Sequence, residues 1–347
     1  MKKFLSIALA LLMVCVMLPV VALAAEKTAS TYEELKSAIS TANDGDTIKL
    51  LADIDLSQTI TVNKTITLNM NGKKLYNTSD LCDKPTAEAN NWSLISVRGS
   101  GNLTITGNGT FAAKENDCYA VDVQESATVT IKNGTFIGNI HAVYVFAGTA
   151  NVEGGTYSVQ QKYPDSAKGD EFVLNCYDAN RANGTARINV TGGTFKNFNP
   201  ADNKAEGEGN NFADNSLVVQ KNNTVQNNDY YVGNAANEVI AAASKGEEIF
   251  VLNGTTLTNV PAGVIIQNRT GDRITVNGKD VELTGDAGYT VPASNIPIIV
   301  PGDTTPAETP KTEDQKNPST GANDMVAAAM ALMAVSALGA AVLTRKK

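Results

Sequence analysis

Four times in the middle of the chain, an apolar, strand-like stretch runs into glycine, threonine and an aromatic ring. The occurrences are Ile105-Thr106-Gly107-Asn108-Gly109-Thr110-Phe111, Ile131-Lys132-Asn133-Gly134-Thr135-Phe136, Val152-Glu153-Gly154-Gly155-Thr156-Tyr157 and Val190-Thr191-Gly192-Gly193-Thr194-Phe195. The matching glycines are Gly109, Gly134, Gly155 and Gly193, so the steps are 25, 21 and 38 residues. The first two steps suit one turn of a stacked unit, and the third suits one turn carrying a loop insertion. Periods in this range mark supersecondary units that cannot bury an apolar face alone and must stack on their neighbours.

Inside each unit the local signal is strand. Leu103 and Ile105, Val129 and Ile131, and Ile188 and Val190 alternate with Thr, Asn or Arg, the period of a half-buried strand. Asn-Gly or Gly-Gly then supplies a position that tolerates positive φ where the chain bends. Phe111, Phe136, Tyr157 and Phe195 are expected to stack on one another in successive turns. A second strand lies between them, because Tyr119-Ala120-Val121-Asp122-Val123 matches His141-Ala142-Val143-Tyr144-Val145. Val121, Val123, Val143 and Val145 should point inward, leaving Asp122 and Tyr144 side by side on the outer surface with His141 nearby.

The segment before the repeats reads as a cap. Ser30 or Thr31 precedes a helical stretch, with Glu33 and Glu34 at the capping-box offset. Leu35, Ala38, Ile39 and Ala42 form one stripe, and Gly45 ends it. Strands are expected at Thr47–Leu50, Thr59–Val62 and Thr65–Leu68. The pattern returns later: Ile39, Gly45, Ile48 and Leu56 correspond, at an offset of 201, to Ile240, Gly246, Ile249 and Leu257. A helix over Glu238–Lys245 should therefore open a second β unit, with Arg273–Lys279 echoing Thr65 to Lys73. Between the units, Asn197–Asn228 is rich in Asn, Asp and Gly, with Leu217-Val218-Val219 as a lone strand candidate.

The chain ends carry addressing signals. Lys2 and Lys3 precede an apolar run from Phe4 to Leu18, and Ala22-Leu23-Ala24-Ala25 offers small residues for signal-peptidase cleavage. At the other end, Asn317-Pro318-Ser319-Thr320-Gly321 is followed by an uncharged run from Met325 to Leu343 and by Arg345-Lys346-Lys347. That run suits a transient membrane insertion with a cytoplasmic basic end. Residues 296–316, with Pro297, Pro301, Pro306 and Pro310, read as an extended disordered stalk. The expected organisation is a signal peptide over 1–25, a main β unit over 26–230, a second helix-plus-β unit over 231–295, the spacer over 296–316 and a sorting signal over 317–347.

Charge narrows the partners. Removing Lys2 and Lys3, and the net +2 of residues 321–347, takes the formal charge from −8 to −12. An acidic exported chain without a basic cluster is a poor match for nucleic acid or anionic lipid. Acidic polysaccharide is also disfavoured unless metal ions bridge the charges. Cys15 falls in the leader, leaving Cys82, Cys118 and Cys176, which cannot all pair within one chain. Buried thiols are expected, with a Cys82–Cys118 disulfide as the alternative.

Taken together, the cap helix, the Gly45-Asp46-Thr47-Ile48 strand, the Thr-x-Thr strands and the Asn-Gly-Thr-Phe turns resemble right-handed parallel β-helix proteins of the pectin-lyase-like group. They look most like repeat-built surface proteins of gut Firmicutes, over Thr31 to about Leu283. The resemblance implies an all-β, right-handed parallel β-helix (solenoid) with an N-terminal capping helix and a second short β unit. The tail resembles the LPxTG-type signal that sortases cut between Thr and Gly, with Asn317 where the commonest motif has Leu. It implies a sortase and a peptidoglycan precursor as partners, and display on a Gram-positive cell wall.

Catalytic signals are weak. Polygalacturonase-like enzymes show Asp-Asp and Gly-His-Gly, whereas this chain has no Asp-Asp and places His141 in Asn139-Ile140-His141-Ala142. Arg98, Arg181 and Arg187, the arginines of the repeat region, lie in no recognisable lyase motif. The sequons at Asn102, Asn108, Asn133, Asn183 and Asn253 read as turn residues. No metal-ligand cluster, nucleophile elbow or phosphate loop is present in the sequence, and no cofactor is expected. Asp122, His141 and Tyr144, with the loop aromatics Trp92 and Tyr163, form the candidate ligand face. The expected role is an adhesin that binds a glycan or host surface component without turnover. The alternatives are a polysaccharide lyase or glycoside hydrolase on the same fold, and a purely structural wall component.

Overall fold

A computed structural model describes residues 24–81, 93–161, 172–201, 212–221, 228–282 and 287–293. Residues 1–23, Cys82, Trp92, Tyr163 and residues 294–347, and with them most of the expected signal peptide and all of the expected spacer and sorting signal, lie outside the described residues. Among the described residues no helix is long and apolar enough to cross a membrane.

The protein is mostly β, built on long parallel sheets. Sheet 1 has seven strands, all parallel: Glu26–Ala29, Thr47–Leu50, Thr65–Asn69, Asn102–Thr106, Thr128–Ile131, Gly148–Val152 and Ala186–Val190. Sheet 2 has eleven strands and begins with the parallel series Ile54–Asp55, Lys74–Tyr76, Thr110–Ala112, Thr135–Gly138, Thr156–Val159 and Gly193–Lys196. Sheet 3 has five: Ile60–Val62, Ser93–Val97, Tyr119–Val123, Val143–Val145 and Leu174–Cys176. From Asn102 to Lys196 the chain visits sheets 1, 2 and 3 in strict rotation, so each strand pairs with its equivalent one turn away.

The repeat fixes that register. Thr110, Thr135, Thr156 and Thr194 are paired in sequence, and so are Phe111, Phe136, Tyr157 and Phe195. Consecutive ring centroids are 4.8, 5.1 and 5.1 Å apart, with interplanar angles of 14°, 11° and 11°. That spacing is close to the roughly 4.8 Å between neighbouring strands, so rings on successive turns stack without displacing the backbone. All four are fully buried. The Tyr157 hydroxyl donates to the Gly154 carbonyl at 2.6 Å, which satisfies the only polar atom among the four side chains. Gly134, Gly155 and Gly193 enter these strands at φ of 115°, 99° and 122°, a region that side chains strain to adopt.

The first turn is closed as the capping signal predicts. The helix Tyr32–Ser40 has Thr31 as N-cap, whose Oγ1 accepts from the Glu34 amide at 3.2 Å. The Glu34 carboxylate accepts from the Ser30 amide at 2.7 Å, and Leu35, Ala38 and Ile39 are buried. The sequence gives no strand before this helix, yet Glu26–Ala29 pairs in parallel with Thr47–Leu50. Three of its four residues stay at least partly exposed, so alternation left too faint a trace.

The 201-residue echo is structural, with two corrections. The second helix is Asn234–Ala241 rather than Glu238–Lys245. Its buried stripe is Ala236 and Ile240, one turn apart, and Ala242 already caps its end. Second, Ile274–Val276 is the counterpart of Lys74–Tyr76, not of Thr65–Leu68. Ile274–Val276 pairs with Thr256–Leu257 as Lys74–Tyr76 pairs with Ile54–Asp55. Ile265–Asn268 instead pairs with Glu248–Asn253 as Thr65–Asn69 pairs with Thr47–Leu50. The two Asn-Gly turns stand on opposite sides of their strands. Asn71-Gly72 precedes its strand, whereas Asn277-Gly278, at φ of 50° and 80°, follows its strand and folds it into a hairpin with Lys279–Val281.

The expected lone strand near Leu217 becomes Val218–Lys221. It lies between Asp229–Val232 and Glu248–Asn253, antiparallel to both, and so carries sheet 2 onward to Tyr289–Thr290. Buried apolar side chains accordingly form two clusters, one from Ala29 to Val232 and one from Val219 to Val291. Cys118 and Cys176 are both buried.

Truncating a ring in the stack removes burial and leaves a cavity between two rings. Phe136→Ala should lower the unfolding free energy by about 3–5 kcal/mol in urea denaturation. Tyr157→Phe keeps the stack and loses one hydrogen bond, an expected cost of about 1 kcal/mol. Equal losses from the two variants would contradict the stacking account.

Candidate functional site on the outer face of sheet 3

Sheet 3 sets the geometry. Ile95, Val97, Val121, Val123, Val143, Val145, Leu174 and Cys176 face the core and are buried. The residues between them form an outer row in register, Ser96, Asp122, Tyr144 and Asn175. Asp122 and Tyr144 are therefore neighbours on the outer side, as the sequence indicates. The expected exposure of Asp122 is corrected: its side chain is fully buried. Alternation set its direction, but neighbouring side chains cover it. Ser96 Oγ donates to Asp122 Oδ2 at 2.9 Å, and Gln124 Nε2 donates to Oδ1 at 2.8 Å. Arg98 Nε in turn donates to Ser96 Oγ at 3.0 Å. Burial pushes the Asp122 carboxyl up to about 6, against the lowering effects of Gln124, Ser96 and Arg98.

His141 is also enclosed. Its Nδ1 lies 2.7 Å from the Phe172 carbonyl oxygen, and Asn175 Nδ2 lies 3.1 Å from Nε2. The neutral ring with the proton on Nδ1 satisfies both contacts, since Asn175 then donates to Nε2. Burial pulls its pKa down to about 4. The ring stacks on Tyr144 at 5.4 Å and 12°, and Tyr119 sits 5.0 Å from both. Gly138 allows the close backbone approach here, because an added Cβ would lie 1.7 Å from the His141 carbonyl oxygen.

A second outer row follows the strands: Arg98, Gln124, Phe146 and Tyr177. Each backbone N–H donates to the carbonyl of Val62, Val97, Val123 or Val145 respectively. Phe146 and Tyr177 are stacked, with centroids 4.8 Å apart and an interplanar angle of 27°. They are 39 % and 43 % exposed, and with Leu51 they are the exposed large apolar side chains among the described residues. Asn180 Nδ2 donates to the Phe146 carbonyl at 2.7 Å and ties the short helix Asp178–Ala182 to this end of the sheet.

The structure thus brings together Asp122, His141 and Tyr144, and adds Phe146, Tyr177, Arg98 and Gln124, which sequence reasoning missed. The available signal was the third copy of the strand, Val173-Leu174-Asn175-Cys176-Tyr177. It aligns with Ala142-Val143-Tyr144-Val145-Phe146 but lies 31 residues on, whereas the preceding step is 22. Chemically, the face sets an aromatic ledge beside the Gln124 amide and the half-buried Arg98 guanidinium, and encloses the Asp122 carboxyl. Among the described residues there is no group of three His, Cys, Asp or Glu side chains arranged to hold a metal ion. No protein-family model, curated protein or solved structure matches this chain.

The two buried titratable groups make opposing contributions to stability. Asp122, raised from 3.8 to about 6, contributes stability below about pH 4 that is lost as pH rises through 6. His141, lowered from 6.5 to about 4, contributes stability above 6.5 that is lost as pH falls through 4. Between pH 7 and 4 the two offset each other. Relative to the native protein, Asp122→Asn should therefore lose stability on acidification across that window. His141→Gln should gain it, each by on the order of 3 kcal/mol. Urea unfolding at pH 4, 5, 6 and 7 checks this, and a shift of both variants in one direction would refute the paired linkage.

Proposed function

We propose that the protein is a wall-displayed binding protein whose ectodomain is a right-handed parallel β-helix, and that it grips a glycan or host surface component without turning it over. The observation that carries this reading is the exposed Phe146–Tyr177 stack, seated in register on sheet 3 beside Gln124 and Arg98. An exposed aromatic ledge suits the apolar C–H face of a sugar ring, while flanking amide and guanidinium groups suit its hydroxyls. The ledge costs little to keep rigid, because the strands beneath hold both rings in place. Contact would be shallow, and repetition of the ligand would supply avidity.

Delivery follows from the termini. A signal peptide over 1–25 exports the chain, and a sortase thiol attacks the Thr320 carbonyl and releases Gly321. A peptidoglycan-precursor amine then resolves the acyl-enzyme. The apolar run Met325–Leu343 holds the chain in the membrane during this step, and residues 296–316 space the β body from the wall. The body itself comprises the main coil over 26–230 and the restarted unit over 231–295.

The enzymatic alternative draws on one observation, the Asp122 carboxyl held near 6, which is the range of a general acid. Its full burial and its bonds to Ser96 and Gln124 keep it from a substrate on this face. Binding without turnover therefore fits the site better.

A glycan array read in parallel with a product-release assay separates the two. The expected result is binding without product, with Phe146→Ala and Tyr177→Ala each weakening binding about tenfold or more at unchanged melting temperature. Product formation abolished by Asp122→Asn would overturn the adhesin reading in favour of the enzyme. For the anchor, mass spectrometry of wall digests should find peptides ending at Thr320 joined to wall material. Peptides reading through Thr320-Gly321 would exclude sortase processing.

A further inference from the structure

Asp46, at the entry to the strand Thr47–Leu50 of sheet 1, is 2 % exposed. Its Oδ2 accepts from the Asn43 amide at 2.9 Å, and its Oδ1 accepts from the Ala25 nitrogen at 2.9 Å. The Ala25 and Asn43 bonds hold the carboxyl below the usual carboxylate range, yet both donors are neutral amides. The nearby lysines are engaged elsewhere, Lys27 Nζ with Thr41 Oγ1 and Lys64 Nζ with the Ser40 and Ala42 carbonyls. An enclosed carboxylate is best satisfied by a cation in hydrogen-bond contact.

The restarted unit shows the same turn with its cation in place. At the offset of 201, Asn43 and Asp46 correspond to Ser244 and Glu247. In both turns the acid's own amide donates to the carbonyl three residues back, Asp46 to Asn43 and Glu247 to Ser244. The Glu247 carboxylate likewise accepts from the Ser244 amide, at 2.8 Å. Its second partner is an ammonium, Lys221 Nζ at 3.1 Å, delivered by the strand paired alongside. In the first unit the strand alongside is Glu26–Ala29, and the group next to it that reaches the acid is the Ala25 nitrogen. That nitrogen follows Ala22-Leu23-Ala24, which carries small residues at the two positions a signal peptidase reads.

We propose that signal peptidase cuts between Ala24 and Ala25, and that the α-ammonium so formed docks on Asp46 as Lys221 docks on Glu247. In the cut, the oxygen of water stays on the Ala24 carboxylate and both its protons pass to the Ala25 nitrogen. The Ala25 carbonyl already accepts from the Thr47 amide at 2.8 Å, so the new charge forms at a held position. Removal of the leader thereby completes the first strand of sheet 1 with an ion pair. The inference rests on the export reading above and sets the cut one residue before the expected boundary at residue 25.

For the test, the full chain is exported from a Gram-positive host and its mature N-terminus is sequenced. The expected first residue is Ala25. A chain beginning at Glu26 or beyond overturns the inference and leaves export standing, whereas a chain that retains residues 1–24 removes both. Ala25 is then titrated by NMR with isotope-labelled alanine. Its ammonium should titrate about one pH unit or more above an ordinary α-amino group, and Asp46→Asn should return it to the ordinary range. A native amine that titrates in the ordinary range overturns the inference without recourse to a variant. An amine raised in the folded state contributes stability that is complete below about pH 8 and is lost as pH rises through the raised value. The melting-temperature gap between the native protein and Asp46→Asn should therefore narrow from about pH 8 to about pH 10. Lys27 and Lys64, the lysines whose charge reaches Asp46, are present in both proteins and cancel from the comparison. A gap constant across that window would leave Asp46 a plain acceptor for the Asn43 amide and overturn the ammonium docking.

Discussion

From Thr47 to Lys196 each strand is held by its equivalent one circuit of the three sheets away, and the stack of Phe111, Phe136, Tyr157 and Phe195 locks that pairing. A one-residue slip between turns would turn these rings outward and bring Thr side chains into the core. The ring spacing of about 5 Å and the strand spacing are nearly the same length, so stacking and hydrogen bonding favour one register. Length between turns is then free to vary at the corners. The 38-residue step carries the helix Asp178–Ala182 without disturbing the pairing of Tyr157 with Phe195. This tolerance lets surface features accumulate on a constant frame.

A coil of this kind has two ends, and each needs a solution. At the start, the capping box at Thr31 and Glu34 fixes a helix across the first strands. At the far end of the main coil, sheet 2 does not stop. It accepts Asp229–Val232 and Val218–Lys221 in antiparallel fashion, and a second helix and strand series follows with the order of the first. The 201-residue offset thus describes a restart of the same design, joined through a shared sheet. Sheet 1 has no equivalent continuation, and Ala186–Val190 is its last strand.

The repeat was readable because it is written in residue types with narrow conformational or packing roles. Glycine at positive φ, threonine on the strand and an aromatic in the core recur at matching places, and the inward valines of sheet 3 followed from alternation alone. Depth was not readable. Alternation says which side Asp122 faces, but its burial depends on Ser96, Gln124 and Arg98 arriving from other positions in the sequence. The Phe146–Tyr177 ledge stayed hidden because an insertion stretches one step from 22 to 31 residues. The strand Glu26–Ala29 was missed because its exposed residues carry almost no apolar pattern. The second helix was misplaced because its stripe rests on Ala236 and Ile240, and alanine is a weak marker of a buried face. The candidate aromatics Trp92 and Tyr163 and the sorting motif Asn317–Gly321 fall outside the described residues, so the functional face rests on sheet 3.

The central claim is that one register, propagated turn by turn, builds both the buried ring stack and the exposed aromatic ledge. Ring-to-ring nuclear Overhauser effects in a deuterated sample protonated only at Phe and Tyr test it directly. The account predicts contacts from Phe136 to both Phe111 and Tyr157, from Tyr157 to Phe195, and from Phe146 to Tyr177, with none between Phe111 and Phe195. Absence of the Phe136 contacts, or a ledge in which Phe146 and Tyr177 do not meet, would contradict it.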